Sequence, residues 1–70
     1  RGGTDGLMFY RRIAMQAPAY LRSGGYLVQE IGYDQGEAVR TLLSEQGFAE
    51  IEIRQDYAGL DRIVWARWLR

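Results

Sequence analysis

The sequence has no cysteine, no histidine and no lysine, and a single proline, Pro18, among its 70 residues. Without cysteine a secreted, disulfide-built scaffold is excluded, and without histidine as well the commonest structural and catalytic metal ligands are gone. A Ser-His-Asp triad, a Cys-His pair and a zinc-activated water are therefore out of reach. All nine basic residues are arginine, so neither Schiff-base chemistry nor a P-loop lysine is available. Nine acidic residues balance them to a formal charge of zero, which leaves no net field to draw in nucleic acid or an anionic membrane. Apolar runs stop at four or five residues, too short to span a bilayer, and the N-terminus lacks the pattern of a signal peptide.

What is present is a globular mixture, 47% apolar and 26% charged. At 8.1 kDa the chain is one small domain or part of a larger one. A lone core of this size supplies only ~3–5 kcal/mol. The chain opens Arg1-Gly2-Gly3 and its first methionine is Met8, which reads as a cut through a longer protein.

Thr4 or Asp5 is placed to cap a first helix over about 6–17. Its buried stripe is Leu7, Tyr10, Ala14 and Ala17, widened by Phe9 and Ile13, and Pro18 interrupts it. Ser23-Gly24-Gly25 is a turn signal ahead of a strand, Tyr26–Ile31, whose apolar residues fall on both faces as in a strand covered on both sides. Asp34 and Glu37 form a capping-box variant for a second helix, with Ala38, Val39, Leu42 and Leu43 inward and Arg40, Thr41, Ser44 and Glu45 toward water. Gly47 and Phe48 are spaced to close it as a Schellman motif. Ile51–Arg54 alternates as an edge strand, Asp56–Asp61 connects, and Arg62–Trp68 is a strand apolar on both faces that suits the centre of a sheet. Trp65 is expected to be largely buried there.

The order is helix–strand–helix–strand–strand. A crossover makes the first two strands parallel, the short last connection makes the third antiparallel, and its burial places it between them.

Few residues carry chemistry. Gly2–Gly6 matches neither dinucleotide nor triphosphate loop patterns and reads as a flexible turn ending in a cap. Glu30 ends the first strand at its carboxyl end, where open α/β sheets bind ligands; a carboxylate facing a cleft and one that is solvated or arginine-paired fit equally. Asp5, Glu30 and Asp34 have no spacing that fixes a cation, and no metal site is expected. Arg62, Trp65, Arg67, Trp68 and Arg70 interleave bases with aromatics, but alternation puts Trp65 and Arg67 on one face and Trp68 and Arg70 on the other. With no net charge this is a strand with arginine at its ends rather than a single-strand binder.

Taken together, Gly2-Gly3-Thr4-Asp5-Gly6-Leu7, Phe9-Tyr10-Arg11-Arg12-Ile13, Ala17-Pro18-Ala19-Tyr20-Leu21, Gly24-Gly25, Glu30-Ile31-Gly32, Gln35-Gly36-Glu37-Ala38-Val39, Gly47-Phe48, Asp56, Gly59, Asp61, Arg62 and Arg67 resemble the C-terminal part of the HemK/PrmC family. These are protein-(glutamine-N5) methyltransferases that act on peptide chain release factors. The resemblance implies an α/β fold, the C-terminal half of a class I S-adenosylmethionine-dependent methyltransferase sheet, with the last strand antiparallel between the other two. It implies S-adenosyl-L-methionine as the parent protein's cofactor, a release factor as its partner and the cytoplasm as its location. The family's glycine-rich cofactor loop, its ribose-binding acid and its Asn-Pro-Pro-Tyr motif are absent from this chain, so no catalytic or cofactor-binding residue carries over.

Residues 1–70 are then a single partial domain, inactive alone, and Gly3, Asp5 and Glu30 are the candidates for a substrate cleft. A small autonomous α/β interaction module without catalytic activity is the competing reading. No direct nucleic-acid or membrane partner is expected. Tyr26–Ile31, without charge or proline over Tyr26–Gln29, is expected to offer an edge for self-association.

Overall fold

The computed structural model describes residues 3–70, with side chains from residue 6 onward. Helix α1 spans Gly3–Gln16, a 3₁₀ turn Ala17–Tyr20, strand β1 Gly25–Glu30, helix α2 Gly36–Glu45, strand β2 Ala49–Gln55 and strand β3 Asp61–Trp68. The sheet runs β1-β3-β2. β3 is antiparallel to both neighbours, which makes β1 and β2 parallel. Order, direction and the central place of β3 all match the sequence reading.

The core is Ala14, Ile31, Val39, Leu42, Leu43, Phe48, Val64 and Ala66, drawn from both helices and one face of the sheet. At the end of α2 the Phe48 N–H donates to the Leu43 carbonyl at 3.0 Å and the Gly47 N–H to that of Ser44 at 3.0 Å. Gly47 is left-handed with φ 100°. This is the expected Schellman closure, and both of its apolar members are buried. Pro18 sits at the start of the 3₁₀ turn, where its missing N–H costs nothing.

Several expectations are corrected. α1 begins at Gly3, so Gly3–Gly6 is helical backbone rather than a turn ahead of the helix. Gly2 and the side chains of Thr4 and Asp5, the expected cap, lie outside the described residues. α2 begins at Gly36 behind Gln35, and no side chain caps it. The Asp34–Glu37 box does not form because the helix starts too late for Asp34 to reach its amides. Gly36 rather than Ala38 completes the buried stripe; Ala38 lies about 100° off it and is exposed. Arg40 is half-buried: a register shift between Ala49 and Glu52 puts an extra residue into β2, and the Ile51 carbonyl accepts from Arg40 Nη1 at 2.8 Å.

The largest correction concerns the second face of the sheet. Phe9 on α1 is exposed, and so are Tyr26 and Val28 on β1. Trp65 on β3 is 36% exposed rather than buried. Both helices pack on the face of Val64 and Ala66, so the opposite face of Tyr26, Val28, Ile63 and Trp65 has no layer over it among the described residues. There Tyr26 meets Trp65 edge-on at 5.7 Å, Arg54 stands over Trp65 at 5.6 Å and Arg67 over Tyr26 at 5.4 Å. Glu52 and Glu50 pair with the two guanidinium groups at 3.0 and 3.2 Å. A Trp65→Ala variant therefore forfeits one edge-on aromatic pair and one cation–π contact rather than a core. It should lose about 1 kcal/mol and stay folded, read from its urea midpoint. Loss of the cooperative transition would put Trp65 back in the core.

Candidate strand-end site

The carboxyl ends of β1 and β2, the start of β3 and the first turns of both helices meet at one end of the molecule. Gln35, just ahead of α2, ties them together. Its Oε1 accepts from the Gly32 N–H at 2.8 Å and lies 3.1 Å from the Tyr10 hydroxyl. That hydroxyl is also 3.2 Å from the Glu30 carbonyl, so its one proton is shared between two acceptors on either side of the β1–α2 connection. The Gln35 N–H returns to the Gly32 carbonyl at 3.0 Å.

Two glycines make room for the carboxamide. A Cβ on Gly6 would stand 2.6 Å from Gln35 Nε2, and one on Gly32 2.8 Å from its Oε1. The first turn of α1, which carries Gly3 and Asp5, is thereby brought to the strand end where Glu30 sits. Glu30 is exposed, and no ion pair among the described residues takes its carboxylate. The Asp5 side chain lies outside the described residues.

Neither Gln35 nor Tyr10 was singled out from sequence. Tyr10 falls within the apolar stripe of α1 and reads as core. Gln35 lies between a cap signal and a helix; the signal that marks it is Gly32 and Gly36 on either side.

On the same end, Asp61 accepts from Gln55 Nε2 at 3.0 Å and its carboxyl lies against Gly36, beside the positive end of α2. In the β2–β3 connection the Asp56 carboxylate accepts from the amides of Ala58 and Leu60 at 2.9 and 3.0 Å and from Arg62 Nε at 2.8 Å. The Arg62 bond, foremost, and the two amides hold its pKa below the ordinary 3.8. The sign follows: a depressed carboxylate contributes stability that is complete above pH 3.8 and is lost as pH falls below it toward the folded value. An acid titration should show wild type losing this increment and Asp56→Asn not; parallel acid limbs for the two would refute it.

Among the described residues no three acidic side chains cluster to hold a cation. A concavity of about 290 Å³ lies on the outer face of α1 between Met8, Arg11, Arg12, Met15 and Gln16. Among the described residues no helix is long and apolar enough to cross a membrane.

The half-sheet, with its antiparallel strand inserted between two parallel ones and both helices on one side, is a fragment of a class I methyltransferase fold. It matches the crystal structure of protein-(glutamine-N5) methyltransferase (release factor-specific) from Alicyclobacillus acidocaldarius with a TM-score of 0.73 and 33% identity, over 94% of this chain and 42% of that one.

By sequence, the chain is similar to a segment of proteins named release factor glutamine methyltransferase. It is 46% identical over 67 residues to the protein of that name from Neisseria gonorrhoeae, covering 96% of this chain and 24% of the relative. It is 51% identical over 65 residues to the one from Cereibacter sphaeroides, covering 93% and 23%, and 47% identical over 66 residues to the one from Pseudomonas aeruginosa, covering 94% and 24%. The chain thus spans about a quarter of the length of the curated relatives it matches. No family model matches it.

The residues present do not fit S-adenosylmethionine. The helix-face concavity carries two arginines and no acid to meet a ribose, and the β1–α2 connection, Ile31-Gly32-Tyr33-Asp34-Gln35, lacks the G-x-G-x-x-G spacing of a cofactor loop.

Proposed function

We propose that these 70 residues are the C-terminal part of the catalytic domain of a protein that transfers a methyl group from S-adenosylmethionine to a glutamine side-chain amide in a peptide chain release factor. The single observation that carries this is 46–51% identity across nearly the whole chain to proteins of that name, together with a matching fold. The amide nitrogen is a poor nucleophile, so such a site works chiefly by orienting it toward the sulfonium methyl. The groups that do so stand outside this chain, which serves as half-sheet and cleft wall and is a partial domain, inactive alone. Glu30, Gly3 and Asp5 are its residues nearest a cleft at the strand ends, the place where open α/β sheets bind ligands. The parent works in the cytoplasm on a protein partner, without direct contact to nucleic acid or membrane.

The test has two arms. Calorimetry of the 70-residue chain with S-adenosylmethionine should give no binding heat, and micromolar affinity would overturn the assignment to a wall. A chimera in which this chain replaces the matching segment of the Neisseria gonorrhoeae relative should still methylate a release factor. A folded chimera without transfer would overturn the family function for this sequence.

A further inference from the structure

The Gln35 carboxamide occupies a space that two glycines leave for it. Among the described residues the glycines with left-handed backbone are Gly24, Gly47 and Gly59. Gly6, within α1, and Gly32, in the β1–α2 connection, are not among them, so their backbone angles do not call for glycine. What they supply is room: a Cβ would stand 2.6 Å from the carboxamide at Gly6 and 2.8 Å from it at Gly32. Gln35 itself stands at the N-cap of α2, yet its side chain caps nothing there. It turns away instead, to the Gly32 N–H and the Tyr10 hydroxyl.

Local stability is given up twice for this one contact. Glycine inside α1 is a poorer helix former than alanine, and α2 starts without a side-chain cap. What is gained is a fixed relation among α1, β1 and α2. Tyr10 completes it, with its ring packed against the core and its hydroxyl 3.2 Å from the carbonyl of Glu30, the last residue of β1. Departures from local preference that converge on one point mark places where geometry outweighs stability.

We propose that Tyr10 and Gln35 are positioning residues for the release factor. They act through Glu30 and the first turn of α1, holding the strand-end wall of the cleft at one setting. The proposal deepens the functional reading above and rests on it. The groups that handle S-adenosylmethionine stand outside this chain, so the wall bears on the protein substrate alone. A wall of that kind contributes equally to substrate and transition state, and loosening it raises KM for the release factor without changing kcat.

Steady-state kinetics of the full-length protein that contains this segment, with a release factor and S-adenosylmethionine varied in turn, test it. Tyr10→Phe keeps the ring in the core and removes only the hydroxyl. Gln35→Met keeps the length of the side chain and removes the acceptor. Each should raise KM for the release factor about fivefold, the worth of one hydrogen bond, with kcat and KM for S-adenosylmethionine unchanged. The double variant should be no worse than either single one, because the two residues form one device. Gln35→Glu, which restores an acceptor oxygen to the Gly32 N–H and the Tyr10 hydroxyl, should recover most of the loss. A merely structural role gives a different pattern: fewer active molecules, a lower kcat and both KM values unchanged. That pattern would overturn the proposal, as would a Tyr10→Phe enzyme indistinguishable from wild type or a Gln35→Glu enzyme as impaired as Gln35→Met. A folded wild type that transfers no methyl group would overturn the functional reading, and this proposal with it; in every other outcome wild-type transfer stands and the positioning role alone is decided.

Discussion

Leu43→Ala should abolish the cooperative unfolding transition of the isolated chain. Leu43 is 2% exposed at the centre of the core, between α2 and the sheet, with Phe48 folded back over it by the Schellman closure. Truncation there costs about 2–5 kcal/mol through lost transfer energy and the cavity left behind. A domain of this size holds ~3–5 kcal/mol in all, so the loss is comparable to the whole. Urea titration followed by near-ultraviolet circular dichroism reads it directly, with both tryptophans on β3 as reporters. A variant that still melts cooperatively within about 1 kcal/mol of wild type would show that stability rests elsewhere than on the α2–sheet contact.

Gly36→Ala should also destabilise, against its helix propensity. In the first turn of a solvent-facing helix, alanine for glycine gains roughly 0.5–1 kcal/mol. Here the added Cβ would collide with the Asp61 carboxyl and come within 3.6 Å of Ile53 Cγ2. Asp61 has little freedom to retreat, since Gln55 holds its other oxygen at 3.0 Å. Overpacking of this kind costs about 1–3 kcal/mol, which outweighs the propensity gain and separates the start of α2 from the start of β3. The double variant Gly36→Ala/Asp61→Ala removes the obstacle and should recover most of the loss in the urea midpoint. Additive losses in the double variant would place the strain in the backbone of Gly36 instead.

The elements that were legible in the sequence are those whose signal is local. The stripe Val39, Leu42, Leu43, the Gly47-Phe48 closure and the alternation of Ile51–Arg54 each mark one helix face, one helix end or one strand, and each stands where expected. Connection lengths then settled strand direction, because the short connection after β2, Asp56–Leu60 in the structure, favours an antiparallel return beside β2. The misread points are boundaries and surroundings. Asp34 and Glu37 have the spacing of a cap, yet a competing partner wins: the Gln35 carboxamide engages Gly32 and Tyr10, and the helix opens one residue later.

Of the candidate site, the placement of Glu30 at the end of β1 was legible, since strand ends follow from the Gly32 stop. The node that draws the first turn of α1 to it was not. Tyr10 and Gln35 are 25 residues apart in sequence and meet at 3.1 Å, and no periodicity reports a contact of that kind.

The sequence by itself determined the kinds of element, their order, the direction of each strand and the helix face that enters the core, because periodicity and turn chemistry act over a few residues. The tertiary structure alone decided that, among the described residues, one face of the sheet carries both helices while Tyr26, Val28 and Trp65 are exposed on the other. A strand apolar on both sides records that both faces suit burial; which face is covered depends on where the helices dock, and here both dock on the face of Val64 and Ala66.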